Sequence, residues 1–142
     1  MREFASPDLI GKTVGDVVLR LPKTLPAQTT VRQARDCFAD DHVHMLLFTE
    51  AGRLLGTLVR EDITEDIDGT DHALAHARLS GRIVAADLPA EHVRHLMLAR
   101  GQRRLAVLAD DGALLGLLCL KRRRTGFCCD ADVAARSVER TR

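Results

Sequence analysis

The sequence contains no tryptophan and no tyrosine, and only four phenylalanines. That scarcity excludes a single-stranded nucleic-acid binder built on aromatic stacking, which needs π-faces. An excess of one charge is also missing: 21 basic side chains stand against 20 acidic ones, for a net charge of +1. Such a balance exerts no long-range pull toward DNA or an anionic membrane. Long apolar runs are absent too. The longest near-continuous one, Leu114 to Leu120, falls far short of the ~20 residues of a membrane-crossing helix. The opening MREFASPDLIGK breaks its apolar residues with Arg2, Glu3, Pro7 and Asp8, leaving no signal-peptide core. A soluble, cytoplasmic chain is the expectation. The four cysteines, Cys37, Cys119, Cys128 and Cys129, are then expected as reduced thiols. Adjacent Cys128 and Cys129 lack the gap of a zinc-chelating pair. The histidine pairs 72/76 and 92/95 have helix-face spacing but no accompanying carboxylate motif, so no metal is expected.

What is present is a globular composition, 46% hydrophobic and 29% charged over 142 residues. That length suits one domain or two small fused halves. The chain repeats itself. Gly52-Arg53-Leu54-Leu55-Gly56 returns 60 residues later as Gly112-Ala113-Leu114-Leu115-Gly116. Met45-Leu46-Leu47-Phe48 falls on Leu105-Ala106-Val107-Leu108, and Leu58 on Leu118. Ahead of each apolar run lies a helical pattern: Val31, Ala34 and Phe38 in the first half, Val93, Leu96, Met97 and Arg100 in the second. These are one-face spacings of an amphipathic helix. The helices align better at an offset of 59.

Thr29 or Thr30 can cap the first helix, and Pro89 suits the first turn of the second. Glu50-Ala51-Gly52 and Asp110-Asp111-Gly112 predict tight turns, joining strands 45–48 to 54–59 and 105–108 to 114–120 as hairpins. Polar, glycine-bearing residues 68–76 read as a linker. Each half is thus a β-α-β-β-α unit whose small sheet has an apolar face it cannot bury alone. Two units packed about a pseudo-twofold axis share a core and leave two clefts at the seam, natural ligand sites.

At this point the sequence resembles a tandem pair of cystathionine β-synthase-type (CBS) domains, a Bateman module. The likeness rests on Thr13-Val14-Gly15-Asp16-Val17-Val18, on Thr29-Thr30-Val31 with Ala34, on His44-Met45-Leu46-Leu47-Phe48 and on Gly56-Thr57-Leu58-Val59-Arg60-Glu61-Asp62-Ile63. It implies a mixed α/β (α+β) fold of two pseudo-symmetric repeats packed sheet to sheet with helices outside. The first CBS domain would span 8–68, the second 77–126, and a C-terminal helical tail 127–142.

The resemblance also implies an adenosine-containing ligand such as AMP, ADP, ATP or S-adenosylmethionine. In that family the signature aspartate accepts hydrogen bonds from the ribose diol, which an acceptor-only carboxylate suits. A Ser or Thr three residues earlier assists, and basic side chains meet the phosphates. Carried onto this chain, the first cleft comprises Asp62, Val59, Thr57, His44, Arg60 and Arg82, with Val59 where the hydroxyl should be. The second, degenerate cleft comprises Lys23, Arg104, Leu117, Cys119 and Arg122. There Cys119 replaces the hydroxyl residue, and Arg122, a donor only, replaces the aspartate. Asp62 also reads as the N-cap of a short helix over 63–67. Arg103 and Arg104 sit where the family often places a phosphate contact, and a final helix is expected over 130–140.

No paired carboxylates, triad or phosphate-binding glycine loop argues for catalysis. The expectation is a non-enzymatic regulatory module with no required cofactor, a homodimer by analogy, acting on an unidentified regulated protein. The rival is a ligand-free dimerisation or interaction scaffold with degenerate nucleotide sites. A nucleic-acid role for the basic run Lys121-Arg122-Arg123-Arg124 is a weaker third reading, since the run lacks aromatics and net basicity.

Overall fold

The computed structural model describes residues 9–19, 23–121 and 126–128. Its elements run α1 (Val14–Val17), β1 (Thr24–Leu25), α2 (Val31–Phe38), β2 (Met45–Glu50), β3 (Arg53–Val59), β4 (Ile83–Ala85), α3 (Ala90–Arg100), β5 (Arg104–Leu108) and β6 (Leu114–Cys119). They form two three-stranded sheets, β1-β2-β3 and β4-β5-β6. In each, the first strand pairs parallel with the second and the second antiparallel with the third. The duplication read from the sequence is therefore a duplication of topology. Arg122–Arg124, Cys129 and the expected helix over 130–140 lie outside the described residues.

Local chemistry accounts for the elements. Thr30 caps α2 by accepting the Gln33 amide at 3.2 Å, while Gln33 Oε1 accepts the Thr30 amide at 2.9 Å, a reciprocal capping box. Val31, Ala34 and Phe38 are all buried. The first hairpin closes through Ala51 and Gly52 at φ 52° and 80°, the paired positive angles that a two-residue turn between twisted strands requires.

Successive residues of the inner strands face opposite layers. Leu46 and Phe48 pack under α2, and Leu105 and Val107 under α3. Leu47 and Ala106 face the other way and meet across the seam, with Met45, Leu79, Leu108, Leu114 and Leu117 around them. Both sheet faces are dry, which explains the lack of polar alternation in these strands.

The symmetry reaches single hydrogen bonds. Leu114 N donates to Gly52 O at 2.9 Å, and Leu54 N to Gly112 O at 3.4 Å. The Thr57–Arg78 backbone pair is matched by Leu117–Leu19, each exchanging two bonds of 2.9–3.0 Å. Val31 N donates to Asp71 O, as Ala90 N does to Lys12 O. These matches expose an exchange of lead-in segments. Leu9, Val14 and Val18 complete the core under α3, whereas Ala73, Leu74 and Ala77 complete the core under α2. Each repeat is thus finished by the chain that precedes the other.

Three sequence expectations are corrected. The stretch 68–76 is no free linker: it holds a 3-10 turn, Ala73–His76, whose Ala73 is fully buried. No helix covers 63–67; a single 3-10 turn, Arg60–Asp62, stands before it, and Thr64, Asp66, Asp68 and Thr70 bond to one another's side chains and backbone in successive turns. Such side-chain bonds compete with helix formation. On α3, Leu96 is exposed, and Arg94 takes the buried place with 2% exposure. Glu91 makes that burial tolerable, meeting Arg94 at 2.7 and 2.9 Å.

Candidate functional site

β3 ends at Val59, and the chain turns sharply through Arg60–Asp62. The turn folds the Asp62 carboxylate back onto its own start, where Oδ2 accepts the Val59 amide at 2.9 Å. Asp62 therefore caps the 3-10 turn that it ends and does not open a helix.

From the second repeat comes Arg82, just ahead of β4. Its backbone is fixed by the Leu79 carbonyl and by Ala106 N, which donates to Arg82 O at 2.8 Å. Its guanidinium clasps Asp62 in a fork, Nη1 to Oδ2 at 2.5 Å and Nη2 to Oδ1 at 2.9 Å, and Nη1 also reaches Thr57 O at 3.3 Å. The Asp62 side chain is 5% exposed and that of Arg82 15%. Arg78 stands 3.5 Å from Oδ1, with its own side chain largely in solvent. Burial alone would raise the Asp62 pKa. The hydrogen bonds from Arg82 and the Val59 amide, with the charges of Arg82 and Arg78, outweigh it and hold the carboxyl below its usual range.

The other residues expected in this cleft divide. Thr57 is fully buried, and its hydroxyl donates to Arg78 O at 2.6 Å. Arg60 turns away toward α2, donating to Phe38 O at 2.6 Å and Val43 O at 3.1 Å with its guanidinium 5.2 Å from the Phe38 ring centre. His44, ahead of β2, is exposed. Its pKa is lowered, first by partial burial and then by Arg104, Arg60, Arg103 and His42 around it. His44 is therefore neutral near pH 7 and sits in a basic neighbourhood. The structure thus brings Asp62, Val59, Thr57 and Arg82 together and leaves Arg60 on the far side of the turn. Sequence reasoning missed Arg78; its backbone pairing with Thr57 joins residues 21 apart, and no motif marks it.

The residues expected in the second cleft are placed differently. Cys119 is buried and Leu117 half-buried, Lys23 is exposed, and Arg122 lies outside the described residues. Arg104 opens β5 half-buried. Arg103 donates to Leu120 O at 3.1 Å, while its buried Nε has no partner among the described residues. Among the described residues no cluster of His, Cys, Asp and Glu is arranged for a metal, and no helix is long and apolar enough to cross a membrane.

Residues 14–69 match the family model of the CBS domain. The whole fold is found in solved CBS pairs. One is the CBS pair domain of a candidate Mg2+ transporter from Shewanella oneidensis MR-1, 23% identical over 89% of this chain and 72% of that one, with a TM-score of 0.69. Another is CBSX2 in complex with AMP, 20% identical over 93% and 100% of the two chains, TM-score 0.65. A third is the CBS domain protein PAE2072 from Pyrobaculum aerophilum complexed with AMP, 20% identical over 89% and 98%, TM-score 0.63. No curated protein matches the chain significantly. The chain as a whole has the fold of a CBS pair.

Proposed function

We propose that this chain is a regulatory, non-catalytic module that senses an adenosine-containing nucleotide in the cleft around Asp62. The observation that carries the reading is a carboxylate from the first repeat set among arginines from the second, at the seam of a fold that binds AMP in two similar proteins. Asp62 supplies the acceptors a ribose diol needs, and Arg78 and Arg82 supply the donors a phosphate needs. Because the two halves contribute opposite charges, a bound nucleotide changes how they are tied together. A partner protein reads that state, and the ligand acts through its differential affinity for the two arrangements. We place the module in the cytoplasm as a homodimer.

The test is a thermal-shift and calorimetric screen with AMP, ADP, ATP, NADH and S-adenosylmethionine. A ligand present at a hundred times its Kd stabilises by about 2.7 kcal/mol, a Tm rise of roughly 5–10 °C for a chain of this size. A phosphate near His44 should also raise that residue's lowered pKa, read by NMR titration of the ring. A flat response to every nucleotide favours the second reading, an interaction scaffold. The specific observation for that reading is that Arg82 already holds both oxygens of Asp62.

A further inference from the structure

We infer that Arg82 acts as a latch that makes the cleft select phosphate-bearing ligands over bare nucleosides. The inference rests on the nucleotide reading above and deepens it. A ribose diol would dock by donating two hydroxyls to a carboxylate. Both oxygens of Asp62 are taken: Oδ1 by Arg82 Nη2, and Oδ2 by Arg82 Nη1 and the Val59 amide. Oδ2 then has no acceptor site left and Oδ1 only one, so the diol's two hydroxyls can both be received only after the guanidinium leaves.

Leaving is a side-chain movement alone. The Arg82 main chain stays bonded to Leu79 and Ala106, and the turn before it is pinned by Gln102 Nε2 donating to Gly81 O at 2.7 Å. The difficulty is charge. Arg82 is mostly buried, and among the described residues Asp62 is the one carboxylate paired with it. A guanidinium withdrawn from that partner without a substitute keeps its full positive charge in a poorly hydrated place. Adenosine brings no substitute. A 5′-phosphate does, since two of its oxygens can accept from the planar guanidinium fork as the carboxylate did. The nucleotide therefore exchanges one ion pair for another, whereas the nucleoside breaks one outright.

The same geometry sets what removal of the latch must do. Arg82→Gln frees Asp62, so adenosine gains affinity with nothing lost. AMP gains the freed carboxylate and loses its phosphate partner, so its affinity changes little. The symmetry-related position is Lys23, and in the sequence the second repeat carries Arg122 in place of the signature aspartate, so the same Arg–Asp pair cannot form there.

The experiment is isothermal titration of adenosine and of AMP into the full chain, wild type and Arg82→Gln. Arg82→Met, which keeps the aliphatic stem, guards against a packing defect, and circular dichroism confirms the fold of each variant. The expected result is AMP binding at least tenfold tighter than adenosine in the wild type, with that ratio falling toward one in both variants because adenosine binds about tenfold better. Adenosine binding to a variant but not to the wild type also supports the latch. An unchanged or weakened adenosine affinity in folded variants, with AMP still binding the wild type, overturns the latch and leaves the nucleotide reading standing. Failure of both ligands to bind every chain overturns the nucleotide reading and the latch with it.

Discussion

Gly116→Ala should cost about 3 kcal/mol or more, enough to prevent folding at modest temperature. A Cβ at this position would lie 2.1 Å from Leu19 O and 2.7 Å from Val18 Cγ2. The carbonyl cannot yield, because Leu19 and Leu117 exchange two backbone bonds at that point. Its repeat-mate Gly56 supplies an internal control. There a Cβ would meet the Ala77 Cβ at 2.9 Å and the Leu74 Cδ1 at 3.0 Å; the leucine tip can rotate aside, and the alanine, which moves only with its backbone, needs to give by only a few tenths of an ångström. Gly56→Ala should therefore be clearly milder than Gly116→Ala in urea or thermal unfolding. Equal costs would show that the approach of residues 18–19 to β6 is looser than described.

Asp62→Asn should destabilise the chain by about 2–3 kcal/mol at neutral pH, because it removes the charge that a largely buried arginine faces. The pH dependence gives the effect a signature. The folded carboxyl has a lowered pKa, while the unfolded one titrates near 3.9. The folded state thus holds fewer protons in acid, and the contribution is fully present above that unfolded value. It disappears as pH falls through the lower, folded pKa. The stability gap between wild type and variant should be wide from neutrality down to about pH 5 and close in stronger acid. A gap independent of pH would assign the cost to packing. In a double-mutant cycle with Arg82→Met, a coupling energy of about 1–3 kcal/mol is expected.

Much of the fold is legible in the residues because the chain states it twice. The recurrence of Gly-Xaa-Leu-Leu-Gly fixes both hairpins, and Val31, Ala34 and Phe38 mark a buried helical face that the structure keeps. What sequence patterns miss is non-local. Leu96 fits the apolar stripe of α3, and Arg94 does not, yet Arg94 is the one buried, because Glu91 neutralises it one turn away. A periodicity count assigns polarity to residues singly and has no place for a pair. Asp62 illustrates the same limit at the site. Its signature position is readable, but the Arg82 that holds it lies 20 residues on in the other repeat. The helix expected after Asp62 is absent because the carboxylate turns back to Val59, a choice between two caps that composition does not decide.

The crossing of the two lead-in segments bears on how such a protein behaves as a unit. Residues 9–18 finish the second half and residues 73–77 the first, so neither half is whole without a strap supplied by its neighbour. Melting one half strips the other of part of its interior, and the chain should unfold in a single cooperative transition by both calorimetry and fluorescence-independent probes such as far-ultraviolet dichroism. The same strapped arrangement is what two separate copies of one 60-residue repeat would adopt by trading arms, and joining them end to end turns an encounter between molecules into a permanent embrace.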